Sequence, residues 1–132
     1  MKTVLIAEDE FDIRVLLRLA LEDHFIILEA LDGEEALEIA QDYQPDLILL
    51  NVLMPKVDGI EVAKRLKEIG LTKDIPIIFI SSLSSPTDIQ RGLATGAIDY
   101  IVKPFCIFEL RAKLLKMLKE NNDGKERERS HV

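Results

Sequence analysis

Short apolar runs alternate with longer amphipathic ones along the chain, and the alternation repeats five times. Val4–Ala7 is apolar, contains Val and Ile and stops abruptly at charges, which predicts a buried strand. Residues 11–24 read as a helix: at 100° per residue Ile13, Leu16, Leu17, Ala20 and Leu21 share a face, and His24 continues that stripe as a packing residue. Phe25–Ala30 is the second strand, Asp32-Gly33 a turn, and Glu34–Asp42 a short helix with Ala36, Leu37 and Ala40 inward. Pro45 stops that helix before a wholly apolar third strand, Asp46–Leu50. A loop, Met54–Gly59, then precedes a helix over Ile60–Ile69 that ends at Gly70, a natural C′ residue.

Pro76–Ile80 is the fourth strand, followed by a Ser-rich loop and a helix that starts at Pro86 and closes at Gly96. Ile98–Val102 is the fifth strand and Cys106–Glu120 the last helix, with Leu110, Leu114, Met117 and Leu118 inward and Cys106 packing at its start. Residues 1–120 therefore read as one domain, and Asn121–Val132 as a polar, flexible tail carrying His131 and the solvated run Lys125–Arg129. Five strands without polar alternation, each followed by a helix, imply an α/β fold: an open, doubly wound parallel sheet covered on both faces. Such sheets place their sites beyond the carboxyl ends of the strands.

Chemistry-bearing residues stand at those ends. Glu8, Asp9 and Glu10 follow the first strand, Asn51 the third, Ser81 and Ser82 the fourth, and Lys103-Pro104 the fifth. Each alone is an ordinary loop residue. Together they offer hard oxygen ligands, which suit Mg²⁺, beside a hydroxyl and an ammonium suited to phosphoryl oxygens. Composition narrows the field: the formal charge is −7, which disfavours phosphate backbones and anionic membranes, so neither nucleic acid nor membrane is an expected partner. A single cysteine excludes an internal disulfide and, with no apolar run near a span's length, points to the cytoplasm.

These residues carry a resemblance. Val4-Leu5-Ile6-Ala7-Glu8-Asp9-Glu10, Pro45–Asn51, Met54-Pro55 with Asp58-Gly59, Pro76–Ser82 and Tyr100–Phe105 together resemble the receiver domain of two-component response regulators over about residues 2–120. The resemblance implies a flavodoxin-like sheet of order 2-1-3-4-5 and a signalling relay component rather than a metabolic enzyme. It implies a Mg²⁺ site at Glu8, Asp9, residue 51 and the Leu53 backbone carbonyl, with Asp9 a direct ligand. Ser81 corresponds to the hydroxyl that senses the phosphoryl group, Ser82 to a usually small neighbour, Lys103 to its ion-pair partner, and Tyr100 to an aromatic that swings inward on activation. Pro55, Gly59 and Pro104 would shape the site, the last through a bond the family usually holds cis.

The family accepts a phosphoryl group on Asp, and here the position is Asn51. An amide cannot form the acyl phosphate, so phosphorylation at residue 51 is expected to be blocked and Mg²⁺ binding weakened. The intact remainder of the machinery favours an engineered Asp-to-Asn replacement. The alternative is a natural degenerate receiver that binds proteins without phosphorylation; a Mg²⁺-dependent phosphatase is disfavoured by the absent nucleophile. A histidine kinase or histidine phosphotransfer protein is the implied donor, with Phe11 and Val15 on the first helix as a docking surface. Phe108, Ala112 and Leu115, at i, i+4 and i+7 opposite the core stripe, form a candidate surface for a downstream target or a second copy.

Overall fold

A computed structural model describes the backbone of residues 1–130 and the side chains of residues 1–118. Strand β1 (Thr3–Ala7) leads into α1 (Phe11–Leu21), β2 (Ile26–Ala30) into α2 (Gly33–Tyr43) and β3 (Leu47–Leu50) into α3 (Gly59–Glu68). β4 (Ile77–Ser81) leads into α4 (Pro86–Leu93), and β5 (Asp99–Val102) into α5 (Ile107–Ser130). All strand pairs are parallel and the sheet order is β2-β1-β3-β4-β5.

Alternation within the central strands sorts the core into two layers, because successive side chains leave opposite faces. Leu5, Ala7, Ile48, Leu50, Ile77 and Phe79 meet α2 and α3 on one side. Val4, Ile6, Leu47, Leu49, Ile78 and Ile80 meet α1 and α5 on the other. The helices are anchored by their own chemistry: Asp32, Asp58 and Ser85 each accept a backbone N–H of the first turn of α2, α3 and α4. β2 and β5 are the sheet edges, so Ile26 is exposed and β5 is only half-buried, unlike the sealed central strands.

Several expectations need correction. α1 ends at Leu21, and a turn in which His24 N–H donates to the Leu21 carbonyl redirects the chain, so His24 is exposed rather than packed. Leu16 lies toward solvent at the rim of the α1 stripe and Met117 is half-buried. Cys106 precedes α5 and is exposed rather than packed. Gly70 is not a left-handed C′ residue: Ile69 is already extended and donates its N–H to the Leu66 carbonyl, which also accepts the Thr72 hydroxyl at 2.7 Å. The left-handed cap is found instead at Gln44 after α2. α5 continues beyond Glu120 to Ser130, through Asn121-Asn122-Asp123-Gly124, which are poor helix formers, and then a run of Lys, Glu and Arg, which are good ones. His131 lies outside the described residues.

Candidate functional site

Backbone hydrogen bonds extend the ladders one step past the strands and so fix the site. Glu8 N–H donates to the Ala30 carbonyl, Asn51 N–H to Ala7 and Lys103 N–H to Ser81. Three side chains from separate loops thereby meet within hydrogen-bonding distance. Gly59 allows the third loop to close: its N–H donates to the Val52 carbonyl at 2.7 Å, and a Cβ there would stand 2.0 Å from the Asn51 carbonyl oxygen. Across the same loop the Pro55 carbonyl accepts from Gly33 and Val57.

Glu8 is the hub. It is 2% exposed, its Oε1 accepts from Lys103 Nζ at 2.5 Å, and its Oε2 accepts from Asn51 Nδ2 at 2.7 Å. Burial pushes the Glu8 carboxyl above its usual range, while the Lys103 ammonium pulls it back down. Asn51 Nδ2 also donates to Asp9 Oδ1 at 3.1 Å and to the Leu53 carbonyl at 3.0 Å. Thus Glu8, Asp9, Asn51, Leu53 and Lys103, scattered through the chain, meet in one hydrogen-bonded cluster.

The remaining expected residues lie around it. Ser81 is fully buried, and its hydroxyl accepts from Leu83 N–H at 3.1 Å, while its carbonyl takes the Lys103 N–H. Ser82 is exposed at the rim. Tyr100 is turned in: its hydroxyl donates to the Leu83 carbonyl at 2.6 Å and its ring lies 5.9 Å from that of Phe79. The Lys103-Pro104 bond is cis.

Phe11 is 68% exposed beneath the Arg14 guanidinium, and Val15 is half-buried. Phe108 and Ala112 are exposed on α5, but Leu115 packs against the core instead of sharing their face. The correction follows from α5 resting in the crease beside α1, which buries more of its circumference than a single stripe.

Arg14 and Gly92 were not anticipated, whereas Glu10 was, as one of the three acids after the first strand. Arg14 Nη1 donates to the Glu8 and Asp9 carbonyls at 2.9 and 3.4 Å, bracing the acidic loop. Its position one turn into α1, just after three acids, was the available signal. Glu10 lies 3.7 Å from the Lys103 ammonium. Gly92 leaves the slot that Tyr100 fills, since a Cβ there would stand 2.7 Å from the ring.

Glu8, Asp9 and the Leu53 carbonyl are hard oxygen donors of the kind Mg²⁺ takes. Asn51 departs from the expected ligand set, because it presents nitrogen rather than oxygen to the other three. Among the described residues there is no cluster of three His, Cys, Asp or Glu side chains placed to hold a metal. Nor is any helix among them long and apolar enough to cross a membrane.

Comparison with known proteins bears on the family and the fold. The chain is 43% identical over 124 residues to the phosphate regulon transcriptional regulatory protein PhoB of Pseudomonas aeruginosa, covering 93% of this chain and 54% of that protein. It is 40% identical over 121 residues to the alkaline phosphatase synthesis transcriptional regulatory protein PhoP of Bacillus subtilis, covering 91% of this chain and 50% of that one. The chain thus spans about half the length of the curated relatives it matches.

The Francisella response regulator 1452 receiver domain superposes with a TM-score of 0.84 at 31% identity, covering 92% of this chain and 99% of that one. Vibrio cholerae chemotaxis protein CheY4 does so with 0.78 at 35% identity, covering 91% and 98%. Residues 4–115 match the response regulator receiver domain family, to which this chain belongs, with Asn51 at the buried phosphoacceptor position.

Proposed function

We propose that the chain serves a two-component phosphorelay in the cytoplasm as a receiver whose switching by phosphorylation is blocked at position 51. The observation that carries this reading is the buried Asn51 amide, seated among Glu8, Asp9 and Lys103 where the acceptor carboxylate belongs. In an acceptor form, a carboxylate oxygen at position 51 would attack the phosphorus of a phosphohistidine on a histidine kinase or phosphotransfer protein. The P–N bond would break, leaving imidazole on the donor and an acyl phosphate on the receiver.

Lys103 and the Ser81 hydroxyl, at the ends of β5 and β4, would bind the transferred oxygens. Glu8, Asp9 and the Leu53 carbonyl are the groups that would hold Mg²⁺, which would supply charge neutralisation to the phosphoryl oxygens. The Asn51 nitrogen lacks an available lone pair, because it is delocalised into the amide, so the reaction stops before its first bond. Downstream, Phe108 and Ala112 offer an exposed α5 face to a target protein or a second copy.

One observation favours a second reading. Tyr100 already lies inward, hydrogen-bonded to Leu83 and lodged over Gly92, the placement the family adopts on activation. A receiver resting in that state would bind its target without phosphorylation.

Incubation with Mg²⁺ and acetyl phosphate, followed by intact mass measurement, separates the two. The blocked relay predicts a phosphoryl adduct on the Asn51→Asp variant and none on the parent. No adduct on either form would exclude the relay and leave the phosphorylation-independent binder.

A further inference from the structure

The Asn51 carboxamide has an unusual set of partners: one nitrogen donates to a Glu8 carboxylate oxygen, an Asp9 carboxylate oxygen and the Leu53 carbonyl, at 2.7, 3.1 and 3.0 Å. An amide NH₂ has two hydrogens, so three acceptors share two donors. Three oxygens from two loops converge on one partly positive centre, which is the pattern a cation imposes. The oxygens stand farther from the nitrogen than the roughly 2.0–2.1 Å of Mg²⁺ coordination, so they surround an NH₂ group and not an ion-sized gap.

The geometry points to the Asn51 amide as a built-in replacement for the divalent cation: it neutralises and ties together the acidic loop and the β3–α3 loop, making the folded pocket independent of Mg²⁺. A carboxylate at position 51 would face Glu8 and Asp9 across these same distances, so three acids would crowd one another, with Glu10 a fourth beside the Lys103 ammonium. With the amide, Glu8 and Asp9 each have a donor. Among the described residues no buried side-chain polar atom lacks a hydrogen-bond partner, and both Glu8 carboxylate oxygens are met by donors, Lys103 and the Asn51 amide.

Entry of Mg²⁺ would require the amide to leave, or to rotate and present Oδ1. Rotation without the ion would aim Oδ1 at three oxygens, which is repulsive. Metal and amide nitrogen therefore exclude one another. The inference rests on these hydrogen bonds and not on the relay: loss of the acetyl phosphate reaction in Asn51→Asp would leave it untouched.

The test is an Mg²⁺ titration of the metal-stripped chain followed by the Asn51 side-chain ¹⁵N–¹H₂ resonances and by thermal melting. The expected result is a pair of unshifted Asn51 amide resonances and an unchanged melting temperature through millimolar Mg²⁺. Asn51→Asp should melt lower than the parent in chelator and regain stability as Mg²⁺ is added. Asn51→Ala, which removes the donor while adding no charge, should also become Mg²⁺-responsive. Should a variant fail to fold in chelator, the parent's own amide resonances still decide. Mg²⁺-dependent movement of those resonances, with a rise in melting temperature equal to that of Asn51→Asp, would overturn the proposal.

Discussion

Replacing Lys103 with Met removes an ammonium and keeps most of the side-chain volume, and its cost is set by what it leaves behind. Lys103 is 10% exposed at its side chain and Glu8 only 3%, with 2.5 Å between them. At an effective dielectric of 20 the gross attraction at such a distance is about 7 kcal/mol, much of it offset by desolvation. Removing one partner of a buried pair costs about 3–5 kcal/mol, since the other charge stays buried. Asn51 still donates to Glu8, so the lower end, about 3 kcal/mol, is expected at pH 8 in metal-free buffer. For a chain of this size that is a fall in melting temperature of about 10 °C.

The pH dependence has a definite sign. Burial raises the folded pKa of Glu8 above the unfolded value, and Lys103 opposes the rise. A carboxyl shifted upward contributes stability that is full below its unfolded pKa and lost as pH rises through its folded pKa. Without Lys103 the folded pKa climbs further, so the penalty is largest at pH 8 and shrinks as Glu8 takes up a proton toward pH 5. Urea unfolding at both pH values measures this directly. A Glu8→Gln/Lys103→Met double variant should recover much of the loss. An equal loss at pH 5 and pH 8, or a double variant as unstable as the sum of its parts, would refute the reasoning.

Two further outcomes follow from packing. Gly92→Ala gains about 1 kcal/mol of helix propensity but forces a methyl to 2.7 Å from the Tyr100 ring, an overpacking worth about 1–3 kcal/mol. Net destabilisation of about 1 kcal/mol is expected, with shifted Tyr100 ring resonances as the hydroxyl leaves Leu83; a stabilised variant with an unmoved ring would contradict the slot. On α5, Phe108→Ser should change stability by less than about 0.5 kcal/mol, whereas Leu115→Ser should cost about 1–2 kcal/mol in chemical denaturation, because only Leu115 packs against the core.

The parallel sheet and the edge that carries the site were legible because they depend on coarse features, whereas the strand order came from the family resemblance. Runs such as Leu47–Leu50 are apolar enough to require cover on both faces, and a parallel sheet then brings every strand's carboxyl end to one edge. Depth of burial was less legible. Periodicity assigns Leu115 an angle on α5, but not how far α1 and the sheet wrap around that helix. It also carries His24 along the α1 stripe, although the chain has already turned at Leu21. Arg14 and Gly92 escaped for a related reason: their roles, bracing carbonyls and vacating a slot, depend on atoms outside their own segments.

Position 51 marks the boundary between the two kinds of information. That a carboxamide stands where the family carries a carboxylate followed from the resemblance, and the missing nucleophilicity followed from functional-group chemistry alone. Which end of the amide would face the acids was not legible, because the answer depends on a balance of donors and acceptors gathered from β1, β3 and β5. Glu8 and Asp9 bring acceptor oxygens, Leu53 brings a carbonyl, and the Lys103 ammonium reaches Glu8 Oε1 from the opposite side. Oriented nitrogen-first, Asn51 supplies donors to three acceptors; oriented oxygen-first, it would add a fourth acceptor to the same group. The electrostatic choice is therefore made by the neighbours, and the carboxamide that cannot accept a phosphoryl group supplies a donor to the acids that a carboxylate there would repel.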